Sequence, residues 1–295
     1  MKLGVQSFTM MKDITEDLHG TLKKIQGLGL HYVEWIARVS PEDPGIGLGL
    51  SPREAVALFD SYGMKLTGCI FGSENPRELI FDYDMMQRII DWYQEAGCSA
   101  IGLANDYFVD EEFFKRRMDA YNEIGRRCKE AGMSWVYHNH FHEQQKINGR
   151  SILEQMAEMT MDAVGFDWDV YWGVRGLVDP VAFINKYGSK IKRFHCKDFP
   201  FARLDTLNAA KNLPETELVN WDNKSRYSAY QMVTPEDFIE CGSGFINWHD
   251  VIQAANAFDI PYMFVEQDHT TYPDKFESLK ASRDYLLRLP GLTVR

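Results

Sequence analysis

Eight times along 295 residues the chain repeats one unit: a short apolar run, a polar loop, then a stretch with apolar residues at helical spacing. The apolar runs fall at 3–8, 32–36, 64–71, 100–104, 133–138, 163–169, 191–196 and 262–266, and the helical stretches at 15–28, 51–62, 82–96, 110–131, 151–159, 180–187, 248–258 and 275–289. Gly63, Gly97 and Gly132 stand where three of these helices must stop, and Pro52 sits at a first helical position. Strands that alternate with helices predict a parallel sheet covered by its crossover helices. Eight such units, at the usual size of about 250 residues, predict a closed (β/α)8 TIM barrel forming a single domain over 1–295. One unit is oversized. Between Lys197 and Gly244 runs an insertion, about 198–246, carrying Phe199, Phe201, Trp221, Tyr227 and Tyr230. A connection that long is usually a lid, a binding loop or a subunit contact, and here it leaves the carboxyl end of its strand, over the expected mouth.

Composition narrows the partners. With 45% hydrophobic and 25% charged residues the chain is an ordinary globular one. Its net charge of −11 is spread along the chain and argues against nucleic acid as a partner. The five cysteines (Cys69, Cys98, Cys128, Cys196, Cys241) form no CxxC pair, so reduced thiols and a cytoplasmic location are expected. The opening MKLGVQSF reads as a strand, and no run approaches the ~20 apolar residues of a membrane span.

Chemistry is expected where apolar runs turn polar. The fifth run (Met133, Trp135, Val136, Tyr137) ends abruptly in His138, Asn139, His140, Phe141, His142 and Glu143. In an extended strand His138 and His140 share a face, and Glu143 is placed to swing back over it. The next strand ends offer Asp167 and Asp169, then His195, Lys197 and Asp198, then Glu266 and Asp268. Four consecutive strand ends with metal-capable groups are more specific than any one of them, because barrel sites are built from several strand ends. Carboxylates suit magnesium or manganese, and an imidazole admits manganese, cobalt or zinc. Each member also has a structural role open to it: Asp169 can cap or pair with Arg175, Asp198 can pair with Lys197, and Glu266 can be a rim residue. Glu34, which interrupts YVEWI, is either a mouth contact or a solvated edge, and the turn CGSGFIN can hold a phosphate on its N–H groups.

The runs YHNHFHE, FDWDVYWGVRGLVDP, IKRFHCKD, GSGFINW and MFVEQD resemble, in order and over nearly the whole chain, the xylose-isomerase-like barrel family of sugar phosphate isomerases and epimerases. That family also includes ketose 3-epimerases, hydroxypyruvate isomerase, inosose dehydratase and, more distantly, C-glycoside deglycosidases and keto-sugar lyases. The resemblance implies one divalent ion, manganese first, held by Glu143, Asp169, His195 and Glu266. Trp172 stands where ketose 3-epimerases carry a histidine. A DNA-repair endonuclease shares the barrel, but the acidic charge here speaks against that activity.

The implied chemistry is removal of a proton beside a carbonyl through an enediolate. The candidate bases are Glu143 and Glu266, rivalled by His138 and His140, with Lys197 stabilising charge. Glu34, Trp172, Arg175 and Asp268 are candidate substrate contacts, and Trp35, Phe71 and Tyr107 are aromatic candidates near the mouth. The expected function is a metal-dependent isomerase or epimerase of a sugar, keto-sugar or cyclitol. A lyase or dehydratase is the alternative inside the enzyme class, and a non-catalytic sugar-binding barrel the alternative outside it. The long seventh connection makes a homo-oligomer a further expectation.

Overall fold

Each apolar run becomes a strand buried on both faces, and the eight strands close on one another. The computed structural model of the chain describes residues 1–72 and 76–294, the side chains of residues 76, 229 and 230 excepted, so Tyr230 lies outside the described side chains. The barrel strands are β1 (Lys2–Gln6), β2 (Tyr32–Arg38), β3 (Lys65–Gly72), β4 (Ala100–Leu103), β5 (Ser134–His138), β6 (Val164–Asp169), β7 (Ile191–Cys196) and β8 (Tyr262–Val265). All pair in parallel, each with its sequence neighbours, and β8 closes the ring on β1.

The crossover helices are α1 (Leu18–Gly27), α2 (Pro52–Ser61), α3 (Tyr83–Glu95), α4 (Glu111–Glu130), α5 (Ile152–Met159), α6 (Pro180–Tyr187), α7 (Trp248–Ala255) and α8 (Lys275–Leu286). Their ends follow local chemistry. Ser51 and Glu54 form a capping box at α2, and Asp82, Asp110, Ser151 and Asp179 accept N–H groups at α3 to α6. Gly63, Gly97 and Gly132 follow α2, α3 and α4 with φ of 62°, 69° and 74°, a conformation that glycine alone adopts without strain. The first helical stretch is broken: a turn at Ser7–Met10 and a short helix Met11–Glu16 precede α1, because Asp17 caps a fresh start by accepting Gly20 N–H. α7 and α8 stop three residues earlier than the spacing suggests.

Helix and strand layers meet through aromatics, as where Trp168 of β6 stacks on Phe183 of α6 with ring centres 4.6 Å apart. The barrel interior holds a charged layer of Glu34, Asp167, Arg193 and His195, all buried. Gly68 leaves room for that layer, since a Cβ there would lie 2.7 Å from Arg193 Nη2. A Cβ at Gly102 would sit 1.8 Å from Val136 O, a backbone atom that cannot yield. Gly102→Ala is therefore expected to destabilise the protein by about 3 kcal/mol, read as a lowered urea midpoint at unchanged slope.

The segment after β7 carries short turns at Phe201–Thr206, Ala209–Asn212, Lys224–Tyr227, Ala229–Met232 and Pro235–Asp237. It is tied to neighbouring loops: Gln145 Nε2 donates to Pro214 O (2.9 Å), and Trp221 packs edge-on against Tyr107 with ring centres 5.1 Å apart. Among the described residues, no helix is long and apolar enough to cross a membrane.

Candidate metal centre

Four neighbouring strand ends bring one side chain each to a common point. His138 ends β5, Asp169 ends β6, His195 lies one residue from the end of β7, and Glu266 follows β8. The parallel register sets Asp169 beside His195 and Phe264 beside His195, and Glu266 N–H extends the ladder by donating to Cys196 O at 3.1 Å. One ligand atom from each of His138, Asp169, His195 and Glu266 lies within 4.8 Å of the others, and all four residues are buried.

Each member is aimed from behind. His195 Nε2–H donates to Glu34, which Arg193 also grips, and Asp167 Oδ1 lies 3.2 Å from the same nitrogen. In the metal-free site Nδ1 lies 2.8 Å from Glu266 Oε2, and loss of the ring's second proton leaves the lone pair on Nδ1. Asp169 accepts Trp172 N–H (2.9 Å) on Oδ1, and Asn139 clasps its backbone from both sides, at 2.9 and 3.1 Å. Asp169 Oδ2 is left for the cluster. His138 Nδ1 is a buried polar atom without a hydrogen bond, whereas the other three ligand atoms are ion-paired in the metal-free site: Lys197 Nζ lies 3.1 Å from Asp169 Oδ2 and 2.8 Å from Glu266 Oε2, and His195 Nδ1 lies 2.8 Å from Glu266 Oε2. Two imidazoles and two carboxylates whose ligand atoms converge on one point fit a divalent cation of the manganese, cobalt or zinc kind.

The electrostatics agree. Burial opposes the charge of Lys197, but Asp169, Asp268 and Glu266 outweigh it and hold the ammonium well above the usual lysine range. Its Nζ lies 2.8 Å from Glu266 Oε2, 2.9 Å from Asp268 Oδ1 and 3.1 Å from Asp169 Oδ2. Burial likewise opposes charge on His195, and Asp167, Glu34 and Glu266 overcome it, so the metal-free ring keeps its proton well above the usual histidine range. Burial raises the Asp169 carboxyl to about 6 against the pull of Lys197. On Glu266, burial is overcome by Lys197 and His195, which hold the carboxylate well below its usual range.

A cavity of about 100 Å³ opens onto the cluster. His138, His140, Lys197, Glu266, Asp268 and Asn105 supply its polar wall, and Phe8, Ile36, Ile70 and Ala104 its apolar wall. His140 lies beyond the strand yet faces the same side as His138, with ring centres 4.9 Å apart. Its Nδ1 is buried without a hydrogen bond; burial, then His142 and Lys197, keep the ring neutral.

Other expected site residues lie elsewhere. Glu143 is outside the four-residue group, and His138 stands where the resemblance implies it. The cause is strand alternation: Tyr137 points to the opposite face from His138, and its OH donates to Glu143 Oε1 (2.6 Å) while His140 N–H donates to Oε2 (2.9 Å). Glu34 sits beneath His195 and does not line the cavity. Trp172 is buried behind His140, with ring centres 5.2 Å apart. Arg175 turns away to pin the segment after β7, donating to Leu207 O (3.0 Å), Thr206 O (3.1 Å) and Tyr171 OH (2.9 Å). Trp35 donates to Ile46 O (2.8 Å), Phe71 packs on Trp135, and Tyr107 stacks on His142. The N–H groups of the turn CGSGFIN serve an internal anion: Gly242 and Ile246 donate to the Asp198 carboxylate at 3.1 and 2.9 Å. Asp167, Arg193, Asn139 and Asn105 carry parts that residue-by-residue reading did not assign. The signal was present for two of them, since Asp167 and Arg193 precede Asp169 and His195 by two positions and so share their face.

Comparison with known proteins places this geometry. The chain is 26% identical over 188 residues to an inosose dehydratase of Clostridium beijerinckii, a match spanning 63% of this chain and 57% of that one. Its fold is similar to a solved sugar phosphate isomerase/epimerase of Parabacteroides distasonis, with TM-score 0.77, 20% identity and coverage of 99% and 95%. It is also similar to IOLI protein solved with a binding zinc atom, with TM-score 0.64, 15% identity and coverage of 98% and 97%. The xylose isomerase-like TIM barrel family matches residues 22–289, from the first crossover helix to beyond the last, and this chain belongs to it.

Proposed function

We propose that this chain is a single-domain, divalent-metal-dependent lyase of keto-sugars or cyclitol ketones, which removes a proton beside a carbonyl and expels the β-oxygen substituent. The observation that carries this reading is the convergence of His138, Asp169, His195 and Glu266 beside a cavity whose wall carries the neutral imidazole of His140 and the charged ammonium of Lys197. An ion held by His138, Asp169, His195 and Glu266, manganese first with magnesium, cobalt or zinc as alternatives, supplies positive charge that polarises the carbonyl.

The remaining steps belong to the protein. Glu266 as a ligand loses basicity, and both oxygens of Glu143 are taken by Tyr137 and His140 N–H. His140 is then the base, because it is the unligated imidazole on the cavity and is neutral. Negative charge growing on the enediolate faces the Lys197 ammonium, and the same ammonium protonates the departing oxygen. Asp268 positions Lys197 for that step at 2.9 Å. Glu34 acts through His195 by fixing its tautomer, and Trp172 backs the ring of His140. Inosose dehydratase as a curated relative supports elimination. Isomerisation is the second reading, supported by the isomerase/epimerase among the structural neighbours. Epimerisation is less favoured, since inversion calls for bases on both faces of the carbon and the cavity offers one free imidazole.

The test is proton exchange. Metal-loaded protein in deuterated water is given inososes, 3-keto-sugars, ketoses and their phosphates, and followed by NMR. Deuterium beside the carbonyl with loss of the β-oxygen supports the lyase; deuterium with that oxygen retained moves the reading to isomerase. No exchange in wild type would leave a sugar-binding barrel.

Metal loading is expected to depend on pH with a definite sign. Asp169 has its proton up to about pH 6, and His195 well above the histidine range, so both lose protons on loading. Affinity falls as pH drops through about 6. Calorimetry in two buffers of different ionisation heat should report about one more proton released at pH 5 than at pH 8; equal release at both would count against these ligands.

A further inference from the structure

Beside the quartet lies a second group of ligand-type side chains that the reaction uses only in part. His140, His142 and Glu143 come from one turn after β5, and one ligand atom of each lies within 4.8 Å of the others. Each is held as metal ligands are. His142 Nε2 lies 2.9 Å from Asp106 O and 3.4 Å from Glu143 Oε1; a carbonyl only accepts, so this nitrogen carries the proton, and Nδ1 keeps the lone pair on which an ion would be held. Asp106 is itself fixed by Arg117 and by Tyr121 OH (2.6 Å), and Tyr107 stacks on His142 with ring centres 4.8 Å apart. Glu143 is buried and oriented by Tyr137 OH and His140 N–H. His140 contributes a buried Nδ1 without a hydrogen bond.

We propose that His140, His142 and Glu143 form a second metal site, selective for zinc-like ions, and that filling it halts the reaction by converting His140 from base to ligand. The halting rests on the reading of His140 given above; the binding does not. Two imidazoles and one carboxylate are a zinc donor set, whereas manganese and magnesium favour oxygen-rich sites. Zinc therefore enters both sites and manganese only the quartet. With the rings of His138 and His140 4.9 Å apart the two ions are near neighbours, and their repulsion makes the second the weaker.

Metal-stripped full-length protein is titrated with zinc sulfate and, separately, manganese chloride by calorimetry, with the deuterium exchange rate measured at each ratio. Two zinc equivalents are expected, the second bound at least about tenfold more weakly, and one manganese equivalent. Exchange should fall more than about tenfold as the second zinc binds. His142→Gln, which can still donate to Asp106 O, should bind one zinc and show no loss relative to its own rate at one equivalent; a thermal melt checks its folding. Glu143→Gln is the companion variant. One zinc equivalent in wild type, or two in both variants, overturns the site. Two equivalents with exchange undiminished keep the site and overturn its inhibitory role together with His140 as base. If no metal state shows exchange, the stoichiometries still decide the site alone.

Discussion

Replacing His140 by glutamine is expected to lower deuterium exchange beside the substrate carbonyl by about 10²–10⁴-fold, while one equivalent of manganese still binds. Glutamine preserves much of the shape of the ring and removes its basicity. The size of the effect follows from the lack of a substitute: His138 and His195 converge on the metal point, and Glu143 is held by Tyr137. The pH profile offers an independent check. Burial, with His142 and Lys197, lowers the pKa of His140, so its basic form persists below the usual histidine range. With metal kept saturating, the acid limb of wild-type exchange should lie below pH 6.5, and the variant should lack that limb. A variant rate within about threefold of wild type would remove His140 from the reaction.

Lys197→Met acts on stability as much as on rate. The substitution keeps the apolar stem and deletes an ammonium within 3.1 Å of Asp169, Glu266 and Asp268. Buried carboxylates stripped of their partner are worth about 3–5 kcal/mol of destabilisation, read in urea unfolding of the metal-free protein. A cation in the quartet supplies part of the missing charge, so manganese should stabilise the variant more than it stabilises wild type. Loss of the β-oxygen should fall further than proton exchange, since the acid is gone and the base remains. A metal-free variant as stable as wild type would mean that the carboxylates are discharged without Lys197.

The eight units were legible because both signals that define them are local. Hydrophobic period, with Pro180 at its start, locates α6, and the apolar run locates β7, to the residue, at Pro180–Tyr187 and Ile191–Cys196. Even so, one strong local signal passed unread: Asn148 and Gly149, with φ of 53° and 80°, turn the small hairpin of Lys146–Ile147 and Arg150–Ser151. At the site, the convergence of strand ends five to eight could be read from their polar termini. Which strand-five residue joins could not. That depends on Tyr137, whose hydroxyl draws Glu143 to the outer face, and a hydroxyl's partner is not written in spacing. Arg175 and Asp198 escaped for a related reason, as their partners lie some 30 to 50 positions away, at Leu207 and at Ile246.

The Asp198 carboxylate has one more consequence. It binds Phe199, Gly242 and Ile246 N–H and Trp248 Nε1 together, with Ile239 N–H on its own backbone oxygen. The excursion after β7 thus leaves and re-enters the barrel through a single knot, and what lies between is held to the neighbouring loops at Gln145, Tyr107 and Arg175. Doubling a loop's length raises its closure entropy by only about 0.6 kcal/mol. The knot at Asp198 therefore bears the closure of the whole excursion, so that a change of length between its two ends adds little entropy for the fold to offset.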